Sequence, residues 1–138
     1  MYQLRVKDHF DAAHYLEGYV GKCHELHGHR WEVEIVLQYD KLGVNNMLID
    51  FKQVKEVLKV LLDKCLDHHC LNKTLVEENP TAEYLAKWIY ENVGLCDLVS
   101  VTVWESPECS ATYFDGGTTA NLKKLFEESK IRRLDDGR

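Results

Sequence analysis

The sequence predicts an α+β domain, and three features carry that expectation. Alternating apolar residues mark four extended segments, two apolar stripes of helical spacing fall between the second and third of them, and the 138 residues are the length of one domain. The order is β-β-α-α-β-β. Two hairpins then join into one four-stranded antiparallel sheet, with both helices covering one face.

The first strand is read over Tyr2 to Ala13, where Leu4, Val6, Phe10 and Ala12 help to define the faces. Gly18 and Gly21 punctuate a loop. From Gly28 to Tyr39, Trp31, Val33, Ile35 and Leu37 alternate with polar Glu32 and Glu34, which gives the second strand. Gly43, Asn45 and Asn46 mark the turn after it. Asp50 reads as a helix N-cap, and Val54, Val57, Leu58, Leu61, Leu62, Cys65 and Leu66 recur at helical spacing, ending near Asp67 to Cys70. Asn79-Pro80-Thr81 announces the second helix, because proline suits a first helical turn. That helix turns Leu85, Trp88 and Ile89 inward and stops near Gly94. Val99, Val101 and Val103 form a third strand ending at Glu105, Pro107 breaks the chain, and Ser110 to Phe114 is the fourth. Leu122, Leu125 and Phe126 suggest a short terminal helix, and the charged tail from Lys130 is expected to fray. The whole of 1–138 is thus one domain, with a core over about 1–116 and an extension over about 118–138.

Composition narrows the function classes. The formal net charge is −6 and no basic run exists, so nucleic acid is not the expected partner. No segment approaches the roughly 20 apolar residues of a membrane span, and the alternating N-terminus lacks a signal peptide's apolar stretch. A soluble, cytoplasmic protein is expected. Cys23, Cys65, Cys70, Cys96 and Cys109 are odd in number and contain no C-x-x-C pair, which argues against a disulfide framework. A small open sheet leaves two edge strands unpaired, so association into a homo-oligomer is expected.

Histidines concentrate in two places. The first is His14 together with Cys23-His24-Glu25-Leu26-His27-Gly28-His29. On a strand His27 and His29 point to one side, Gly28 leaves room between them, and a hairpin brings His14 alongside. Three converging imidazoles suit zinc with an open fourth position, as in catalytic sites. H-x-H alone is also common on exposed strands, and spacing does not decide between the two. Cys23 lies just before these residues; a thiol near a cation ionises more readily and could serve as a base or nucleophile. A fourth metal ligand and an inert thiol are the alternatives. The second cluster is Asp67-His68-His69-Cys70, at the end of the first helix. Asp67 can orient an imidazole as an acid–base pair, or the histidines can simply cap the helix C-terminus. Glu105 continues the parity of Val99, Val101 and Val103, so its carboxylate faces the apolar side and needs a partner. The paired N–H donors of a pterin or guanine edge would satisfy it, as would a salt bridge between subunits.

Together the motifs Phe10-Asp11-Ala12-Ala13-His14, Cys23-x-x-x-His27-Gly28-His29, Asp50-Phe51, Leu66-Asp67-His68-His69-Cys70-Leu71-Asn72, Asn79-Pro80-Thr81-Ala82-Glu83 and Trp104-Glu105 resemble the 6-pyruvoyl-tetrahydropterin synthase superfamily. They occur in the family's order over nearly the whole chain to about residue 116. The three residues between Cys23 and His27 resemble the bacterial and archaeal 6-carboxytetrahydropterin synthase branch; animal-type enzymes have a longer gap. Branches linked to folate place a glutamate at or beside the cysteine, and Glu25 leaves that branch open.

The resemblance implies the tunnelling fold, with sheets of neighbouring subunits joined into a barrel as a trimer or hexamer. It implies Zn2+ on His14, His27 and His29, and 7,8-dihydroneopterin triphosphate as substrate. The products would be 6-carboxy-5,6,7,8-tetrahydropterin, acetaldehyde and triphosphate, an early step toward queuosine. Cys23 would be the base, Asp67 and His68 a proton relay, Glu105 the holder of the pterin edge, and Thr81 a contact through backbone. Sister activities forming 6-pyruvoyl-tetrahydropterin or 6-hydroxymethyl-dihydropterin remain alternatives, as does a non-catalytic protein that binds zinc and pterin.

Overall fold

A computed structural model describes residues 1–76 and 78–115. The expected terminal helix and tail, within 118–138, lie outside the described residues. The elements are β1 (Tyr2–His14), β2 (His27–Tyr39), α1 (Phe51–Cys65), the single-turn α2 (Leu71–Thr74), α3 (Ala82–Asn92), β3 (Leu98–Ser106) and β4 (Cys109–Phe114). One antiparallel sheet holds the strands in the order β1-β2-β3-β4. The expected joining of two hairpins is therefore found at the β2–β3 seam, where Val33 pairs with Val103 and Ile35 with Val101.

The core is the alternating face of that sheet closed by the helices. Val6, Phe10 and Ala12 of β1, Trp31, Val33, Ile35 and Leu37 of β2, and Val101 and Val103 of β3 all lie in it. Leu58 and Leu62 of α1 and Leu85, Ala86 and Ile89 of α3 complete it, α1 packing on β1 and α3 on β3 and β4. Phe10 and Trp31 stack with ring centroids 6.0 Å apart and no exposed surface. Truncating either to alanine would cost about 3–5 kcal/mol by lost transfer and residual cavity. The opposite face is polar and tied across strands by Arg5–Glu34 at 3.0 Å and Thr102–Thr112 at 2.7 Å.

Helix ends follow the capping chemistry with one change. Asp50 caps α1 as expected, its carboxylate accepting from Lys52 N–H at 2.9 Å. At α3 the first-turn role expected of Pro80 falls away: Thr81 is the N-cap, its hydroxyl oxygen accepting from Tyr84 N–H at 3.2 Å, and the proline precedes it. The reason is chemical, since a threonine oxygen satisfies an orphan N–H and a proline ring cannot. Gly94, with φ +70°, closes the helix just past Val93. α2 was not expected; four residues are too few to show a helical period.

α1 ends sooner than the apolar stripe suggests, because the chain turns at His68 (φ +58°) and runs along β1. There His68 N–H donates to Asp11 C=O at 2.7 Å and Ala13 N–H donates to His69 C=O at 3.1 Å. Asp11 N–H donates to Asp67 Oδ1 at 2.9 Å. Residues 67–70 thus cover one end of the β1 edge. Among the described residues no helix is long and apolar enough to cross a membrane.

Candidate metal centre

Both core stripes of the first hairpin run off the end of the sheet as histidine. On β1 the buried sequence Val6, Phe10, Ala12 continues to His14, and on β2 Val33 and Trp31 continue to His29 and His27. The register pairs His14 with His27 and Ala12 with His29. The strands extend one residue further than expected, to His14 and His27, and this pairing is what brings the two rings together. Ring centroids lie 4.5 Å apart for His14–His27, 5.2 Å for His14–His29 and 4.8 Å for His27–His29. Trp31 lies edge-on beneath two of them, at 4.9 Å from His14 and 5.2 Å from His29. Glu105 extends the Val101–Val103 face of β3 to the same place.

Hydrogen bonds fix two of the rings. His14 Nδ1 lies 2.8 Å from Pro80 C=O and His27 Nδ1 lies 2.7 Å from Glu25 C=O. A carbonyl only accepts, so both Nδ1 atoms carry a proton, which in a neutral ring leaves the lone pair on Nε2. His14 Nε2 and His29 Nε2 are buried without a hydrogen-bond partner. Burial pushes the pKa of both rings below 6.5. For His14 the Pro80 carbonyl and Glu105 oppose that shift while the neighbouring imidazoles add to it; burial wins, and the ring stays neutral, the state a metal ligand requires.

Glu105 Oε1 lies 3.4 Å from His14 Nε2 and 3.4 Å from His29 Nε2. That is long for a hydrogen bond, yet it matches the edge of a tetrahedron whose bonds are near 2.0–2.1 Å, about 3.3–3.4 Å. One ligand atom from each of His14, His27, His29 and Glu105 lies within 4.8 Å of the others. Orphaned, neutral nitrogens with one carboxylate are a donor set that fits zinc. The expectation for Glu105 did not include this proximity, although strand parity pointed toward it.

The other expected residues lie elsewhere. Cys23 is half-buried in a single 3-10 turn, Lys22–His24, held by Leu16 N–H donating to its carbonyl at 2.9 Å. Asp67 and His68 do form a pair, Oδ2 to Nδ1 at 2.7 Å. The carboxylate raises the imidazole's pKa; Asp67's own is lowered, first by the Asp11 N–H and then by His68. Yet 81% of the His68 side chain is exposed, and no hydrogen bond or ion pair joins this pair to Cys23 or the three imidazoles among the described residues. His68 instead borders an open cavity of about 520 Å³ with Asp11, Gly28, Arg30 and His29. Asp11, Gly28 and Arg30 have the strand parity opposite to His27 and His29, and with His29 also in its wall the cavity is bordered by residues of both parities. Gly28 belongs to that floor: a Cβ there would meet only Ala12 O, at 3.8 Å, so room for the metal site does not explain the glycine.

Residues 3–115 match the family described as 6-pyruvoyl tetrahydropterin synthase. The chain belongs to that family. A 6-carboxy-5,6,7,8-tetrahydropterin synthase of Synechocystis sp. is 38% identical over 112 residues, covering 76% of this chain and 87% of that protein. A dihydroneopterin monophosphate aldolase of Pyrococcus furiosus is 36% identical over 105 residues, covering 72% and 85%. The solved structure of Caenorhabditis elegans 6-pyruvoyl tetrahydropterin synthase superposes with a TM-score of 0.74 at 25% identity, covering 83% of this chain and 96% of that one. The sheet and helices are thus those of the tunnelling fold.

Within this member of the family, sequence reasoning overlooked three residues that hold the site. Pro80 supplies the carbonyl to His14, while the Thr81 hydroxyl beside it is engaged as a helix cap. Asn72 and Asn79 bind the backbone that follows His14, through Tyr15 and Glu17. Their motifs were visible in the sequence, but which backbone they would reach depends on contacts more than 50 residues apart.

Proposed function

We propose that this chain is a zinc enzyme that converts 7,8-dihydroneopterin triphosphate and water to 6-carboxy-5,6,7,8-tetrahydropterin, acetaldehyde and triphosphate. The observation that carries the reading is the pair of buried, unpartnered Nε2 atoms of His14 and His29, converging with His27 in a chain of this family. His14, His27 and His29 would hold the zinc, which as a Lewis acid makes the substrate's side-chain hydroxyls easier to deprotonate. Cys23, as thiolate, takes a proton from the substrate's side chain. His68, oriented by Asp67, relays a second proton, and the 2.7 Å bond between them supports that division of labour. Glu105 accepts two hydrogen bonds from the 2-amino-pyrimidinone edge of the pterin and turns away from the imidazoles to do so. Thr81 contributes through its backbone, since its hydroxyl is engaged by Tyr84.

His68 is exposed beside the β1 edge, so its proton is delivered from the surface of the chain. A homo-oligomer, a trimer or a hexamer, is part of this proposal, as are a cytoplasmic location and a place on the route to queuosine. The relative named dihydroneopterin monophosphate aldolase favours a second reading, in which the same site forms 6-hydroxymethyl-dihydropterin. A third keeps zinc and pterin binding without turnover, and a sister 6-pyruvoyl-tetrahydropterin synthase is a fourth. Incubating zinc-loaded protein with 7,8-dihydroneopterin triphosphate and analysing pterins by mass spectrometry, with an acetaldehyde assay, separates them. Carboxytetrahydropterin with acetaldehyde is expected; any other pterin product, or none from folded, zinc-loaded protein, overturns the proposed reaction.

A further inference from the structure

The stretch that leaves β1 keeps a strand's hydrogen bonding for three residues after the strand has ended. Tyr15 N–H donates to Asn72 Oδ1 at 2.9 Å, and Tyr15 C=O accepts from Asn72 Nδ2 at 2.8 Å. Two residues on, Glu17 makes the same pair of bonds with Asn79, at 3.0 and 2.8 Å. Leu16, between them, bonds to the other side: its N–H donates to Cys23 C=O at 2.9 Å, and its C=O lies 3.3 Å from His24 Nδ1. Such alternation belongs to a strand with a neighbour on each side. Here two side-chain amides replace the neighbour on one side, since a carboxamide carries a peptide's donor and acceptor together. The turn that carries Cys23 takes the other side.

Asn79 has a second connection. It directly precedes Pro80, whose carbonyl accepts the His14 Nδ1–H at 2.8 Å, and Thr81, which caps α3. α3 is anchored in the core by Leu85, Ala86 and Ile89. One fixed helix end therefore orients a metal-site imidazole directly and reaches the Cys23 turn through Glu17 and Leu16. We infer that Asn79 is a positioning residue for Cys23, registering the cysteine turn against the helix end that orients His14. The inference rests on the proposed role of Cys23 as base. Misplacing such a group by about 1 Å is enough to lower turnover by roughly 10²-fold.

The test uses zinc-loaded Asn79→Ala and Asn79→Asp, with Cys23→Ala as reference. Zinc content, kcat and KM are measured, together with the rate at which iodoacetamide alkylates Cys23, resolved from the other cysteines by peptide mass spectrometry. Asn79→Ala is expected to keep its zinc and a KM within about twofold, to lose roughly 10²-fold in kcat, and to alkylate several-fold faster at Cys23 as the turn loosens. Asn79→Asp keeps the acceptor for Glu17 N–H but not the donor, so it falls between wild type and alanine; if the alanine variant does not fold, this variant decides. Unchanged kcat and unchanged alkylation overturn the inference. Loss of zinc with kcat and KM moving together also overturns it, because the residue would then be a general structural support. A Cys23→Ala enzyme with full activity would instead remove the proposed base, and the alkylation rate would still report whether Asn79 holds the turn.

Discussion

The two histidine clusters of this chain are built in opposite ways. His14, His27 and His29 prolong the apolar face of a hairpin, and two of the three have buried, unpartnered nitrogens. His68 prolongs nothing: it sits on a left-handed turn at a sheet edge, with 81% of its side chain exposed and one carboxylate for a partner. Burial drives His14 and His29 toward the neutral, ligating form, and a carboxylate drives His68 toward the protonated, donating form. The first cluster is complete within one chain, whereas the second faces outward.

Removing one histidine from each cluster should break the comparison most visibly. His29→Ala is expected to lose zinc and, with it, turnover to background, as measured by metal analysis after dialysis and by product formation. His68→Ala should keep one zinc per chain and its fold, yet lose about 10²–10⁴-fold in kcat, the usual contribution of a positioned acid or base. Equal zinc loss in both variants would mean that the clusters are not separate.

Glu105 stands between the two descriptions, so its substitution sharpens them. If its main work is to hold the pterin edge, Glu105→Gln removes one of two charge-assisted bonds. KM should then rise by roughly tenfold or more, the scale of losing a hydrogen bond to a charged group, about 1.5–3 kcal/mol, while zinc affinity is unchanged. A zinc affinity that falls with KM unchanged would assign the carboxylate to the metal instead, as its 3.4 Å approaches to His14 and His29 allow.

What was legible in the sequence divides along the same line. Strand parity runs uninterrupted from Val6 to His14 and from Ile35 to His27, so period-2 reasoning reached the clustering of the three imidazoles and the turning of Glu105 to the core face. Local chemistry likewise located the Asp50 cap and the Gly94 stop. Parity could not say where Asp67 and His68 go, because they lie on a turn whose course is set by bonds to Asp11 and Ala13, over 50 residues earlier. The same distance hid Asn72, Asn79 and the Pro80 carbonyl. Assigning Gly28 to the metal site erred for a related reason: the missing side chain was credited to the face its neighbours use, whereas parity places it on the other.

The clusters should also pull the pH dependence of stability in opposite directions in metal-free protein. His14 and His29 have depressed values, so their contribution is present above the ordinary 6.5 and is lost as pH falls through those values. His68 has a raised value, so its contribution is present below 6.5 and is lost as pH rises through that value. Solvent screens the exposed pair, so the buried rings dominate and the melting temperature should rise from pH 5 to 7. In His68→Ala the rise should be steeper. A melting temperature that falls over this range would show that burial does not control the metal-site histidines.

The smallest effect is expected at Gly28→Ala, and it separates the two faces of one strand. The backbone there has no left-handed φ, and the added methyl meets only Ala12 O at an ordinary 3.8 Å, so stability should change by no more than about 0.5 kcal/mol. Zinc affinity should be unchanged, because the methyl points away from the side of the sheet that carries His27 and His29. A loss of turnover that appears as a raised KM with zinc fully retained would place the effect in the cavity bordered by Arg30, His68 and His29. Loss of zinc from this variant, measured by chelator competition, would instead mean that the methyl disturbs the ligands through the cavity wall that His29 shares.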